Sequence, residues 1–169
     1  EAIRMVERTD GLPFPSQAQV SNTLCVACGI CVGACPASTP FRRTEELRTG
    51  IDLPEYTLRE LRQRTIDAAA ALEGPNRVLV LACEHGGAAK HPNAVVMPCV
   101  AMAPPSLVDF IISRHLAEGV VVAGCAESSC FNRLGVNWIE ERFAGQRDPY
   151  LRARVPRERV RTVWTSDLG

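Results

Sequence analysis

Three stretches of this chain are apolar without interruption, and each stops on a cysteine: VLVLAC over 78–83, AVVMPC over 94–99 and VVVAGC over 120–125. Short runs of this kind, rich in β-branched residues and separated by longer stretches of helical spacing, predict central strands of a parallel sheet. VRTVW over 160–164 predicts a fourth strand. Helical periodicity is present over 54–73 (Leu58, Leu61, Ile66, Ala69), over 105–118 (Leu107, Val108, Ile111, Ile112, Leu116) and over 135–144 (Trp138, Ile139, Phe143). Pro54 and Pro105 suit first turns, Gly74-Pro75 stops the first helix, and Gly119 is expected to cap the second. Pro149 ends or restarts the third, with a further turn expected over 150–155. The Gly-rich connection EHGGAAKHPN over 84–93 leaves room for a short helix. The predicted fold class is α/β, a small parallel-sheet domain.

The first quarter of the chain lacks this regularity. EAIRMVER at the start suits a short strand or a turn of helix, and 37–53 is polar enough to be a linker. The expected organisation is a cysteine-rich segment over 1–45, a linker and connecting helix over 46–75 that packs between the modules, and the α/β domain over 76–166.

The cysteines supply the chemistry. Parallel strands point the same way, so Cys83, Cys99 and Cys125 should emerge together at the carboxyl edge, where open α/β sheets bind ligands. Cys130 follows closely and completes a candidate four-thiolate site, able to hold zinc or a two-iron cluster. Any one of these cysteines could instead be an inert core residue. Upstream stands Cys25-x2-Cys28-x2-Cys31-x3-Cys35-Pro36, which resembles the ferredoxin run that binds a [4Fe-4S] cluster. Two-residue gaps let a looping backbone set three sulfurs around one cube, with Gly29 and Gly33 relieving crowding and Pro36 turning the chain away. A zinc knuckle would pair two C-x-x-C units instead. In two-cluster ferredoxins the fourth cysteine serves the other cluster, so Cys35 is expected on this centre or on a neighbouring one. The opening Glu1-Ala2-Ile3 resembles the continuation of an upstream C-P, which leads to the expectation of a further cysteine run before it. The ferredoxin run tilts the second site toward iron, as a [2Fe-2S] cluster. Cys83-x-His85 is half of a Rieske signature, but no C-x-x-H follows; His85, His91 and His115 are read as solvated or structural. Glu127, Ser128 and Ser129 lie between two candidate ligands, placed either to hydrogen-bond sulfur or as ordinary turn residues.

Composition narrows the classes. The chain has 169 residues, 46% hydrophobic, with 19 basic and 19 acidic side chains, so there is no electrostatic footprint for nucleic acid. Eight cysteines with no visible signal peptide point to a reducing, cytoplasmic compartment and not to disulfides. The apolar run 94–108 is too short to cross a membrane and is interrupted by Pro98, Pro104 and Pro105. Arginines 142, 147, 152, 154, 157, 159 and 161 suggest a solvated basic face or a docking surface for an acidic partner. No nucleophile–base pair, P-loop or G-x-G-x-x-G is present, which argues against a flavin- or nicotinamide-binding catalyst.

VLVLAC ending at Cys83, AVVMPC ending at Cys99, and VVVAGC-AESS-C over 120–130 followed by Asn132, Gly135 and Asn137 together resemble the delta-subunit family of methyl-viologen-reducing hydrogenase. The resemblance spans about 77–166 and implies a [2Fe-2S] cluster on a flavodoxin- or Rossmann-like domain, with Cys83, Cys99, Cys125 and Cys130 as ligands. It also implies redox partner subunits of the hydrogenase, heterodisulfide reductase or flavoprotein type. The chain departs from the family in two ways: Gly86 stands where it has a second cysteine, and Ala126 and Phe131 stand where it favours histidine. The expected function is a non-catalytic electron-transfer module, with a zinc-stabilised interaction module as the alternative.

Overall fold

The computed structural model describes residues 2–11, 13, 15–36 and 50–165. The chain's first residue, most of the expected linker over 37–53 and the boundary expected at 45/46 lie outside the described residues.

Strand β1 (Ile3–Glu7) pairs antiparallel with β2 (Ser16–Val20), Ile3 opposite Val20 and Glu7 opposite Ser16. Of the two expectations for the start of the chain, the strand is therefore the one realised. The cysteine run follows as a loop and then helix α1 (Ile30–Ala34). Helix α2 (Leu58–Ala70) begins later than Pro54 because other groups satisfy its first donors. Thr57 Oγ1 accepts the Glu60 N–H at 3.1 Å, and Asp52 Oδ1 accepts the Leu58 N–H at 2.7 Å. Its buried stripe is Leu58, Leu61, Thr65 and Ala69, and it packs against the edge of the main sheet.

That sheet contains β3 (Val78–Cys83), β4 (Ala94–Met97), β5 (Gly119–Gly124) and β6 (Val160–Trp164), in the order β4-β3-β5-β6 and parallel throughout. Leu81 stands opposite Val95 on one side and Val122 on the other, so all strands end together. Helix α3 (Pro105–Ser113) starts at the expected proline but stops short of Glu118. His115 takes a left-handed conformation (φ 55°), and Leu116 N–H bonds back to Ile111 O. Gly119 is consequently the first residue of β5 and not a helix cap. Helix α4 (Gly135–Phe143) matches its periodicity, while 150–155 adds no helical turn.

The connection over 84–93 is a series of turns without the short helix, and this decides the layering. Leu79, Leu81, Val95, Met97, Val120 and Val122 face one continuous core with the apolar stripes of α2, α3 and α4. The opposite sheet face carries only the small cluster of Val80, Ala82 and Ala123 with flanking Ala88, Ala94, Val96 and Val121. Val78 and Val163 on that side are exposed. The fold is α/β, a four-strand parallel sheet backed by helices on one face.

The N-terminal segment joins this core directly. α1 rests on the 3₁₀ turn Val100–Met102 that follows β4. Val32 of α1 is fully buried in the main core. A Cβ on Gly33 would overlap the Ala101 carbonyl oxygen, and one on Gly29 (φ 70°) would come within 2.7 Å of the Met102 side chain. Gly33→Ala is expected to destabilise the protein by about 1–3 kcal/mol through overpacking. Gly119→Ala, whose Cβ would meet its nearest atom at 3.5 Å, should stay within about 1 kcal/mol of wild type. Chemical denaturation of the two variants checks the contrast, and equal midpoints would show that the junction tolerates a side chain.

Candidate metal centre

Because β3, β4 and β5 are parallel and in register, their carboxyl ends bring Cys83, Cys99 and Cys125 to one edge. Cys83 Sγ lies 3.5 Å from Cys125 Sγ, and 3.6 Å from the Pro98 carbonyl that leads into Cys99. Two thiolates on one tetrahedral ion sit about 3.8 Å apart, so the Cys83–Cys125 pair has the spacing of ligands to a shared metal atom. Cys99 and Cys130 meet at the first residue of α4. A Cβ on Gly135 would stand 2.5 Å from Cys99 Sγ and 3.7 Å from Cys130 Sγ, so glycine there is the notch that admits both sulfurs. Cys83, Cys99 and Cys125 are buried and Cys130 is partly exposed.

These sulfurs receive hydrogen bonds. The His85 N–H points to Cys83, and the Ala101 N–H and the Asn132 side chain point to Cys99, each favouring the thiolate. Burial is the larger effect in the thiol form. It pushes Cys83 up to about 12, helped by nearby Cys125 and Cys99, and Cys99 up to about 11, helped by Cys130 and Cys28. A bound metal, which requires the thiolate, would have to displace these protons.

Gly86, where the resembling family has a second cysteine, packs against the sheet. A Cβ there would lie 3.0 Å from the Gly124 carbonyl carbon and oxygen, so no thiol fits without moving backbone. Glu127, Ser128 and Ser129 form an exposed 3₁₀ turn between Cys125 and Cys130. His85 stacks on Phe131 with ring centroids 3.8 Å apart, and its Nε2 is 3.2 Å from Glu84 Oε1. His91 Nδ1 accepts the Asn93 N–H.

In the upstream run, Ala27 adopts a left-handed conformation (φ 55°) that turns the chain between the first two cysteines. Its N–H donates to Cys25 Sγ at 3.4 Å. Burial raises the Cys31 thiol, and the neighbouring Cys28 and Cys25 raise it further. Cys35 caps the far end of α1. With Cys31 it lines a groove of about 650 Å³ whose apolar walls include Ile3, Met5 and Ala18 of the hairpin. The run is not isolated from the second set. Cys28 packs with Ile30 against Cys99 and Ala101, beside Trp138.

Among the described residues, no group of three His, Cys, Asp or Glu side chains is drawn together tightly enough for a single metal ion. A cluster places iron and sulfide between its ligands and holds them further apart. The donor set at each place is of the kind a cluster takes: thiols only, N–H donors on sulfur, and glycines where the backbone closes in.

The basic face expected over 142–161 is broken up. Arg154 pairs with buried Asp109, Arg147 pairs with Glu141 at 2.6 Å and lies over the Trp138 ring, and Arg157 donates to Leu151 O. Arg142 is buried outright. The sequence reading missed it, although its distance from Val136 and Ile139 puts it on the inner stripe of α4. It also missed Asn132 as a sulfur donor, which only the folded loop reveals.

A family described as a 4Fe-4S binding domain matches residues 18–39. No curated protein and no solved structure matches the chain. The chain thus carries a ferredoxin-type iron–sulfur segment of the electron-transfer kind. No helix among the described residues is long and apolar enough to cross a membrane.

A thiol whose pKa is raised on folding adds stability below its unfolded value and loses it as pH climbs through the folded value. For Cys83 that window runs from 9.0 to about 12. Metal-free protein should therefore melt at progressively lower temperature above pH 9, and Cys83→Ala should show a shallower decline. Thermal melts by circular dichroism across this range test it; parallel curves would remove Cys83 as a cause.

Proposed function

We propose that this chain is an electron-transfer module with two iron–sulfur centres. Cys25, Cys28 and Cys31 hold a [4Fe-4S] cluster, with Cys35 on it or on a neighbouring centre, and Cys83, Cys99, Cys125 and Cys130 hold a [2Fe-2S] cluster. The observation that carries the reading is the packing of Cys28 against Cys99, which gives the two thiol sets a common wall. When bound, the clusters supply one-electron storage at potentials set by ligation, burial and hydrogen bonds to sulfur.

The chain's own residues do the rest. The strand ends present three thiols without loop motion, and the Gly135 notch brings in the fourth. The N–H groups of His85 and Ala101 and the Asn132 side chain stabilise negative charge on sulfur. Burial excludes water from Cys83, Cys99 and Cys125, while Cys130 is partly exposed toward a partner. Phe131 beside Cys130 and Val26 inside the upstream run are both exposed, offering apolar contact next to each thiol set. The resemblance of 77–166 to hydrogenase delta subunits supports a redox subunit of hydrogenase, heterodisulfide reductase or flavoprotein type as that partner, with substrate chemistry occurring there.

A zinc-stabilised interaction module is the second reading, favoured by the 3.5 Å Cys83–Cys125 spacing. It requires all four sulfurs to close around one ion, which the described residues do not do.

Anaerobically reconstituted protein is expected to hold roughly six irons and six sulfides per chain, with two distinct reduced EPR signals. Cys125→Ser should lose about two irons and one signal while the other persists. Zinc without sulfide at the second set would replace the relay by the interaction module.

A further inference from the structure

Three polar or charged residues are buried among those described: Thr65, Asp109 and Arg142. Two are satisfied, Thr65 by the Leu61 carbonyl and Asp109 by Arg154 and Ser113. Arg142 is different. It is 1% exposed, its Nη1 makes one long bond of 3.4 Å to the Ala101 carbonyl, and its Nε has no partner. No carboxylate pairs with it among the described residues. Glu141, next along the helix, turns to Arg147.

A buried guanidinium without an anion carries a large desolvation penalty, and arginine does not shed its proton to escape it. Such a residue belongs where negative charge arrives. Besides Glu141, the group whose negative charge would act on Arg142 is Cys99, and the Cys99 sulfur accepts the N–H of Ala101, the residue whose carbonyl Arg142 binds. The same Ala101 carbonyl is the atom that a Cβ on Gly33 would strike. Arg142 therefore reaches the turn that follows Cys99 and carries α1, the helix that contains Cys31.

We propose that Arg142 is the buried counter-cation of the second cysteine centre, a fixed positive charge that offsets the thiolates at Cys99 and holds the centre's reduction potential up. The proposal rests on the two-centre reading above. Reduction adds one electron and one unit of negative charge to the site, so a nearby buried cation favours the reduced form. No anion pairs with it among the described residues of the metal-free protein, so the same charge that helps the loaded state should burden the empty one.

The test is an EPR-monitored redox titration of reconstituted protein, with dithionite as electron donor through mediators. It follows the signal that disappears in Cys125→Ser. Arg142→Met, which keeps an apolar stem and removes the charge, is expected to shift the one-electron equilibrium about tenfold toward the oxidised form, a fall of about 59 mV. Arg142→Lys should retain most of the wild-type potential. In metal-free protein, Arg142→Met should melt no lower than wild type, an outcome that a role in packing or hydrogen bonding alone would reverse. Should Arg142→Met fail to fold when loaded, Arg142→Gln replaces it in the titration. An unchanged potential with iron present, or an equal fall in Arg142→Lys, overturns the counter-cation and leaves the relay standing. No iron at the second set overturns both.

Discussion

The arrangement at the cysteine end depends on one backbone contact: α1 lies on the turn Val100–Met102 with no side chain between Gly33 and the Ala101 carbonyl. The turn follows Cys99 at once, and α1 starts two residues after Cys28. The contact therefore fixes where the upstream run stands relative to the sheet edge. A spacer of one methyl group would press the two backbones apart, and Cys28 would lose its place against Cys99. Close-packed interiors transmit such a change instead of absorbing it, because there are few voids for the displaced atoms to fill.

Much of the sheet was legible in the sequence, and the reason is physical. Each strand is buried enough to need an unbroken apolar run, and the parallel arrangement makes the run's last residue a point on a common edge. A cysteine at the end of each run thus announces convergence without any long-range information. The junction was not legible in this way. Gly33 looks like relief for a cluster, which is a local reason, whereas its crowding comes from Ala101, far along the chain. Helix ends were missed for a related reason: the Thr57 hydroxyl and the Asp52 carboxylate set the start of α2, and the left-handed His115 the end of α3, each overriding the proline or glycine that marks such places on average. The helix absent from 84–93 left one face of the sheet thinly covered, and no periodicity in that Gly-rich stretch could have said which face.

The arginine cluster shows how a charge count misleads when fold is ignored. Seven arginines near the end of a chain look like one basic surface. The fold distributes them over separate tasks: Arg154 neutralises a buried aspartate, Arg147 pairs on the surface, and Arg142 points inward. What turns Arg142 inward is helical phase. Arg142 shares the inner stripe of α4 with Val136 and Ile139, while its neighbour Glu141 faces out to Arg147. Hydrophobic periodicity, read without excluding charged residues from the inner stripe, would have found it.

Charge then links the parts. Burial holds Cys83 and Cys99 as neutral thiols when the site has no metal, with Cys99 pushed up to about 11, while Arg142, bonded to the Ala101 carbonyl, meets no carboxylate partner among the described residues. Under the proposed reading, metal binding would displace those protons and make the sulfurs anionic, which would turn the same guanidinium from a liability into a partner. Burial explains the raised thiols and hydrogen bonding explains the sulfur donors, while the inward arginine of α4 is the one feature of the site that the metal-free core leaves without a carboxylate among the described residues.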